Sequence, residues 1–379
     1  MFRTFKIGLL LSTTGSYGPM AHASLNGGLL AVDTLNARPD RKFNLVPVTS
    51  DPGGEPSHYA RHASALLDQG IRHVVGCYTS LSRKEVVPVF EKRDALLWYP
   101  THYEGFEASP NVVYVGGGPN QHTLPLIDWA LRNVGRAAYC VGSNYVWAWE
   151  TNRVLREGLI PAGGRIVGDR YIAVEDLDLD HVVQDILRVR PDFVFCTLIG
   201  ASAARFMDLL RAACLSRGID QARDMPLLTC NLTETTMLAV SPEARDGHVS
   251  SSVYFSSVDT PESHAFVSAF TRRFGAMPSA DAESSFVAVH LLAQALEAVG
   301  TDDIDAVRAV ANTLRVQAPQ GEVKLEADTM HAWLTPRIGI SRRDGGFDII
   351  EEYEAPVRPD PYLVASTPRL APVNLRLVS

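Results

Sequence analysis

Short apolar runs alternate with amphipathic stretches along the first third of the chain. Residues 7–11 and 43–48 are short apolar runs, which are typical of buried strands. Between them, residues 23–35 carry apolar side chains at helical spacing and predict a helix. The same alternation predicts strands at residues 74–76, 95–98 and 112–115 and helices at 55–67 and 82–93. In the last of these helices, Ser82 and Glu85 have the spacing of a capping box.

A second alternating series follows, and the pattern changes near Ser250. Strands are predicted at residues 138–141, 166–172, 193–197 and 226–228, and helices at 150–160, 178–190, 201–217 and from Thr233 onward. After Ser250, we expect a strand at 253–255, helices at 261–274, 282–299 and 303–314, and strands at 323–325, 336–340 and 347–353. Repeated strand–helix units favour parallel sheets covered by helices. The sequence therefore predicts an α/β protein of two doubly wound, Rossmann-like lobes.

Three crossovers are expected to join the lobes, near residues 117–121, 252–257 and 327–336. Lobe one is predicted to comprise residues 1–120 and 256–330, and lobe two residues 121–255 and 331–379. The proline-rich end is expected to form an extended surface arm, with Pro356, Pro359, Pro361, Pro368 and Pro372. This arrangement predicts a central ligand cleft that closes by a hinge motion.

Composition and charge exclude several classes of protein. Hydrophobic residues make up 46% of the 379 positions, which is enough for two cores, and the net charge is −8. That charge argues against direct nucleic-acid binding by a broad basic face. The five cysteines form no CxxC pair and indicate a reducing compartment. No apolar run reaches the ~18 residues of a membrane span, and the apolar start at residues 5–12 is short for a secretory signal, so we expect a cytoplasmic protein without membrane contact.

Motifs of enzymes and cofactor sites are missing from the sequence. It contains no Walker sequence and no GxSxG elbow, and Gly116-Gly-Gly-Pro119 lacks the GxGxxG spacing of a dinucleotide loop. His58 and His62 are spaced for one helix face, yet no third metal ligand follows at a recognisable spacing. We therefore expect a protein that is not an enzyme and that needs no cofactor or metal.

Two predicted strands of lobe one end in turns that combine hydroxyl and aromatic side chains. They are Gly76-Cys-Tyr-Thr-Ser80 and Trp98-Tyr-Pro-Thr101-His-Tyr-Glu-Gly105. Ligands of open α/β sheets bind outside the carboxyl ends of the strands, and a hydroxyl beside a helix N-terminus suits a carbonyl or carboxylate oxygen. These turns therefore predict a binding site, with ordinary helix capping by Ser80 or Ser82 as the alternative.

Two predicted strands of lobe two end in similar turns, Ser143-Asn-Tyr-Val-Trp-Ala-Trp149 and Thr229-Cys-Asn-Leu-Thr-Glu234. We expect them to face lobe one across the cleft. For Tyr145 and Trp147, core packing at the end of a strand is the alternative.

Several short strings occur in order along nearly the whole chain and are more specific than a fold pattern. They are Asp51-Pro-Gly-Gly54, Gly76-Cys-Tyr78, Arg83-Lys84, Tyr99-Pro-Thr101, Tyr103-Glu-Gly-Phe106, Ser109-Pro-Asn111, Pro119-Asn-Gln121, Tyr254-Phe-Ser-Ser-Val-Asp-Thr-Pro261, Ala318-Pro-Gln-Gly321 and Arg358-Pro-Asp-Pro-Tyr362. In these strings the chain resembles the amide sensors that regulate bacterial aliphatic amidase operons. The resemblance implies a type I periplasmic binding protein fold in a cytoplasmic negative regulator. It also implies that an RNA-binding antiterminator is sequestered until a small neutral amide binds; homo-oligomerisation is left open.

The resemblance also assigns pocket residues where the strings match. Ser80 and Thr101 match hydroxyls that bond the amide, whereas Tyr78, Tyr99 and Tyr145 match pocket aromatics.

The chain departs from the amide sensors at three pocket positions. His102 stands where the family has proline, Trp147 where it has tyrosine, and Leu232 where it has threonine. Two hydroxyls are thereby lost from the wall formed by lobe two, so the ligand should be less polar there. We expect a neutral amide-like ligand with an apolar or aromatic substituent.

Two other functions compete with an amide sensor. A substrate-binding protein of an ABC transporter for urea, short amides or branched-chain amino acids has the same fold. An amino acid would need a carboxylate for its ammonium group, and none of the matched pocket positions supplies one. An amidase or nitrilase is the enzymatic alternative, and no nucleophile–base pair supports it.

Overall fold

The computed structural model describes residues 3–366, and a parallel sheet forms at the start of this part of the chain. Its strands are β1 (Arg3–Leu10), β2 (Phe43–Ser50), β3 (His73–Gly76), β4 (Leu96–Tyr99) and β5 (Val112–Tyr114). They pair in the order β2-β1-β3-β4-β5. Three helices connect the first four strands, α1 (Gly18–Asn36), α2 (Tyr59–Asp68) and α3 (Ser80–Arg93). We call the unit built on this sheet the first lobe.

The middle of the chain builds a second sheet. It begins with β6 (Ala137–Ser143), β7 (Arg165–Ile172), β8 (Phe193–Thr197), β9 (Leu227–Thr229) and β10 (Val249–Ser252). The helices of this segment are α4 (Thr123–Asn133), α5 (Val146–Leu159), α6 (Asp180–Val189), α7 (Gly200–Leu215), α8 (Gln221–Asp224) and α9 (Glu234–Met237). We call the unit built on this sheet the second lobe.

The remaining elements complete both lobes. Helices α10 (Pro261–Phe274), α11 (Ala280–Val299) and α12 (Ile304–Ala311) come first. A small antiparallel sheet of β11 (Arg315–Ala318), β12 (Gly321–Leu325) and β13 (Ala332–Trp333) follows, and it shares a hydrophobic core with the first sheet and α11. Strands β14 (Arg337–Ser341) and β15 (Phe347–Glu352) then return to the second sheet, which has the order β15-β14-β10-β9-β8-β6-β7.

This arrangement confirms the predicted α/β fold with two doubly wound lobes. The lobe boundaries at residues 120, 255 and 330 stay predictions, and residues 367–379, with Pro368 and Pro372 of the expected surface arm, lie outside the described residues. No helix between residues 3 and 366 combines the length and the apolar character that a membrane span needs.

Several predicted elements differ from the structure. The strand expected at residues 253–255 lies instead at Val249–Ser252, where three serines hide the strand pattern. Tyr254 and Phe255 are buried in the following connection, and Phe255 stacks on Phe347 with ring centroids 4.8 Å apart. Helix α4 and strand β11 were not predicted at all.

The capping box at the start of α3 also lies elsewhere than predicted. Thr79, rather than Ser82, is the N-cap residue, and its side chain accepts a hydrogen bond from the backbone N–H of Ser82 at 3.0 Å. The hydroxyl of Ser82 accepts one in return from the backbone N–H of Thr79 at 3.1 Å. Because the helix begins earlier than expected, Ser80 is its first residue.

Helices α1 and α11 approach closely where both carry small residues. The buried hydroxyls of Ser24 and Ser285 are 2.6 Å apart. A Cβ added at Gly27 would lie only 1.9 Å from the carbonyl oxygen of Ala282. At Gly28, by contrast, an added Cβ would meet a flexible side-chain atom of Leu9 at 3.4 Å, which is ordinary contact.

We expect Gly27→Ala to lower the free energy of unfolding by about 1–3 kcal/mol, because the backbone of α11 has to move away. The matched control is Gly28→Ala, which should leave stability unchanged or raise it by up to about 1 kcal/mol, since alanine favours a helix over glycine. Urea denaturation measures the free energy of unfolding of both variants. Equal losses in the two variants would contradict the close approach.

Candidate functional site

A cavity of about 370 Å³ opens between the two lobes at the carboxyl ends of their strands. The first lobe contributes the segments that follow β1, β3 and β4, and the second lobe those that follow β6, β7, β8 and β9. Most of the lining is aromatic or aliphatic. The cavity therefore lies where open α/β sheets bind ligands.

Seven of the eight residues predicted for the site line this cavity, namely Tyr78, Ser80, Thr101, His102, Tyr145, Trp147 and Leu232. The exception is Tyr99, which is fully buried behind the cavity and donates a hydrogen bond from its hydroxyl to the carbonyl oxygen of Tyr78 at 3.0 Å. Tyr99 therefore supports the cavity wall without lining it.

Arg83, Glu104 and Glu107 form a network behind the cavity residue Ser80, and we call this network the floor of the cavity, although none of the three lines it. The guanidinium of Arg83 donates to Glu104 at 2.9 Å and to Glu107 at 2.8 Å, and it lies 4.9 Å from the ring centroid of Tyr99. Glu104 in turn accepts a hydrogen bond of 2.5 Å from the hydroxyl of Ser80. The proton of the Ser80 hydroxyl is therefore directed at the protein, and its lone pairs remain as acceptors.

Ion pairs and hydrogen bonds counter the effect of burial at Glu107. Burial raises the pKa of Glu107, but Arg83, Lys84 and the hydrogen bond from Tyr114 together outweigh burial and hold that pKa below its usual value. A second cation, Lys84, lies 3.1 Å from Glu107.

Tyr78 makes a further link behind the cavity. Its hydroxyl donates to the fully buried carboxylate of Asp281 at 2.8 Å. The hydroxyl of Thr233, which follows the cavity residue Leu232, donates to the other oxygen of Asp281 at 3.4 Å. Burial raises the pKa of Asp281 to about 6. The carboxyl group thus joins a wall of the first lobe to a wall of the second.

Two hydrogen bonds join the lobes at the mouth of the cavity. The hydroxyl of Tyr145 accepts from the backbone N–H of Leu81 at 2.7 Å. The hydroxyl of Ser16 donates to Glu175 at 2.5 Å. Sequence reasoning missed Ser16 and Glu175, and Glu175 directly precedes an acidic run that is typical of helix capping, so no local pattern distinguishes it.

The two imidazoles at the site are neutral near pH 7. Burial lowers the pKa of His102 to about 4 and that of His122, behind it, to about 3. The ring of His102 packs edge-on against Trp147 with centroids 5.6 Å apart. His102 and Trp147, which are two of the three positions where the chain differs from the amide sensors, therefore contact each other.

Charge on the cavity lining is confined to one carboxylate. Glu175 is the acid, and no lysine or arginine lines the cavity within residues 3–366. Over the same residues, no group of three or more histidine, cysteine, aspartate or glutamate side chains is placed to hold a metal ion.

Two buried polar atoms of cavity residues have no hydrogen-bond partner among the described residues. They are the indole Nε1 of Trp147 and the hydroxyl oxygen of Tyr17. An indole N–H can only donate, whereas a phenol can donate or accept. Such atoms are suited to a polar group of a ligand, because a buried donor without a partner is unfavourable.

Two α/β lobes that enclose a cavity between them define a two-lobed ligand-binding protein. The chain belongs to the family described as periplasmic binding protein domain, whose model matches residues 5–368. This family assignment, like the prediction from sequence, describes a binding protein and not an enzyme.

Solved structures of solute-binding proteins share the fold. One from an ABC transporter of R. palustris, in complex with benzoate, has a TM-score of 0.82 and 21% identity, and the match covers 94% of this chain and 98% of that one. A branched-chain amino acid transporter substrate-binding protein from Streptococcus pneumoniae, in complex with isoleucine, has a TM-score of 0.81 and 19% identity, with 94% and 100% covered. At these identities the likeness establishes the fold.

A curated relative matches a smaller part of the chain. It is limonene hydroxylase from Geobacillus stearothermophilus, which is 27% identical over 119 residues, or 31% of this chain. The chain spans about 22% of the length of that protein. A match over so small a part of the chain does not assign an activity to it.

The expected cytoplasmic location is wrong. The matched family, which is described as periplasmic binding protein domain, points instead to the periplasm. The expectation rested partly on the N-terminal apolar run, which belongs to strand β1, and partly on unpaired cysteines. All five cysteines are free and buried, so they are inaccessible in either compartment and do not report on it.

We expect Arg83→Gln to lower the free energy of unfolding by about 3–5 kcal/mol, because the buried carboxylate of Glu104 and the partly buried one of Glu107 lose their buried counter-ion and keep only the half-exposed Lys84. Arg93→Gln is the matched control in the same helix, since its ion pair with Asp68 is exposed and should contribute only about 0–1 kcal/mol. Denaturant unfolding followed by circular dichroism measures both. A small loss for Arg83→Gln would contradict its role in the floor.

Proposed function

We propose that this protein is the solute-binding component of an ABC importer and that it closes around a small, neutral, amide-like solute with an apolar or aromatic body. The observation that carries the proposal is the cavity between the lobes, which offers a buried indole donor and no cationic side chain among the described residues.

The size and the walls of the cavity suit the body of such a solute. Its volume of about 370 Å³ lies near the lower end of the range of about 300–1,000 Å³ that is typical of small-molecule sites. Tyr17, Met20, Trp147, Met207 and Leu232 supply apolar surface. Removing an apolar group from water against such walls contributes about 25 cal/mol per Å² of buried surface.

The head group is selected by the polar atoms. The indole N–H of Trp147 can donate to a carbonyl oxygen. The start of α7 at Gly200 also lies on the cavity lining, where the first backbone N–H groups of a helix are suited to the same oxygen. The lone pairs of Ser80 and Thr101 can accept from an amide NH₂. A primary amide presents a carbonyl oxygen and an NH₂ group together.

The charge of the cavity favours a neutral head group over a carboxylate of the same shape. Both imidazoles at the site are neutral, and Glu175 would repel an anion. A buried carboxylate without a cationic partner is strongly disfavoured. This differs from the solved relatives named above, whose ligands are benzoate and isoleucine.

The comparisons support the transport role, because the solved relatives are binding components of transporters. The amide-sensor resemblance supports the choice of an amide, whereas a sequestered RNA-binding antiterminator has no support in the comparisons.

Deleting the gene is therefore expected to reduce uptake of labelled benzamide by cells at low concentration. Unchanged uptake, together with tight binding in vitro, would refute the transport role alone.

Benzamide and benzoate have nearly the same shape and differ in charge, so they test the head group directly. We expect benzamide to bind at least about tenfold more tightly at pH 7, which corresponds to about 1.4 kcal/mol. Isothermal titration calorimetry measures both affinities. Glu175→Gln should narrow the difference, because it removes the repulsion of the anion. Tighter binding of benzoate would refute a neutral solute.

The indole donor is tested by Trp147→Phe, which keeps an aromatic wall and removes the N–H. We expect roughly tenfold weaker binding of benzamide, since a buried hydrogen bond contributes about 0.5–1.5 kcal/mol. Trp149→Phe is the matched control, because Trp149 lies in the same helix, is 44% exposed and donates to Asn144 outside the cavity. If the two variants bind alike, Trp147 does not donate to the solute.

A further inference from the structure

A second chamber of about 200 Å³ adjoins the main cavity. The two spaces share the wall residues Ser16, Tyr17, Tyr78, Thr79 and Tyr145. A water molecule occupies about 30 Å³ in the liquid, so the chamber has room for a hydrocarbon substituent of several carbon atoms. The sequence contains no pattern that predicts it.

Both lobes enclose this outer chamber. The first lobe contributes Thr14, Gly54 and Tyr59, and the second lobe contributes Val174 in addition to Tyr145. The hydrogen bond from Leu81 to Tyr145 crosses between the lobes at the same place. Closure of the lobes therefore forms the outer chamber together with the main cavity.

The boundary between the chambers is aromatic and carries one unsatisfied polar atom. The ring of Tyr17 lies 5.6 Å from that of Tyr78 and 6.4 Å from that of Tyr145, measured between centroids. The Tyr17 hydroxyl oxygen is buried and has no partner among residues 3–366. Burial raises the pKa of Tyr17 well above its usual value, so the hydroxyl keeps its proton and can donate and accept.

We propose that the outer chamber is a second subsite, which takes the N-substituent of a secondary amide whose acyl body occupies the main cavity. The inference rests on the proposed function and extends it from small amides to N-substituted ones. In these longer solutes the amide group lies at the boundary beside Tyr17 and not against Trp147, Ser80 and Thr101 as in a primary amide, and its N–H and carbonyl oxygen match a hydroxyl that both donates and accepts. The aromatic rings around Tyr17 flank the linkage, and apolar surface of the substituent is buried beyond it.

The test compares benzamide with N-butylbenzamide by isothermal titration calorimetry. We expect N-butylbenzamide to bind the unmodified protein at least about tenfold more tightly, because each buried methylene group strengthens binding severalfold. Thr14→Trp fills the outer chamber from an exposed position that does not line the main cavity. This variant should lose the gain from the butyl group and keep its affinity for benzamide.

Val174→Trp fills the same chamber from the second lobe and serves as an independent variant, and Thr14→Ser is the control for the loop. If benzamide binds but the butyl group adds nothing, or if its gain survives in both tryptophan variants, the second subsite is refuted and the proposed function stands. If neither amide binds the unmodified protein, the proposed function fails and the subsite fails with it.

Discussion

The architecture of the site depends on the burial of one guanidinium. Arg83 is fully buried, and its charge is balanced by Glu104 and Glu107 and covered by the rings of Tyr99 and Tyr103. Moving such a group out of water is unfavourable by several kcal/mol unless its partners are held in place. The loop that carries both glutamates is therefore tied to the start of α3, and Ser80 is held by its hydrogen bond to Glu104. The walls of the cavity in the first lobe are a consequence of that requirement.

The same network reaches the connections between the lobes. Glu107 accepts a hydrogen bond from the Tyr114 hydroxyl at 2.9 Å, and the Tyr114 ring stacks on His331 with centroids 4.0 Å apart. His331 directly precedes strand β13, close to where the chain returns to the second lobe. The floor of the cavity, the edge of the first sheet and the connection between the lobes thus form one continuous packed unit. Such continuity explains how a hinge can move the lobes while the floor keeps its shape.

Local pattern was enough to predict the fold class and four of the strand-end turns that line the cavity, because strand ends in α/β proteins converge at one edge. Local pattern did not predict the features that depend on contacts between distant parts of the chain. Successive side chains along β4 point to opposite faces of the sheet, and only the packed structure shows that the side chain of Tyr99 lies behind the cavity wall. Ser16 and Glu175 meet across 159 positions of the chain, so no spacing connects them. Strand β10 was displaced in the prediction because serine carries little β preference, and its pairing with β9 and β14 decides its position.

The hydrogen bonds at the cavity mouth affect the balance between the open and the closed arrangement of the lobes. The Leu81–Tyr145 pair carries no charge, so it stabilises the closed arrangement to a similar extent for every occupant, whereas the carboxylate of the Ser16–Glu175 pair also disfavours an anion. A contribution common to all solutes shifts the balance between open and closed forms without changing their ranking. Discrimination then rests on the walls and on Glu175, whereas the Leu81–Tyr145 bond favours the closed form for every solute. A binding protein benefits from this separation, since the loss of one hydrogen bond at the mouth favours opening without altering which molecule is recognised.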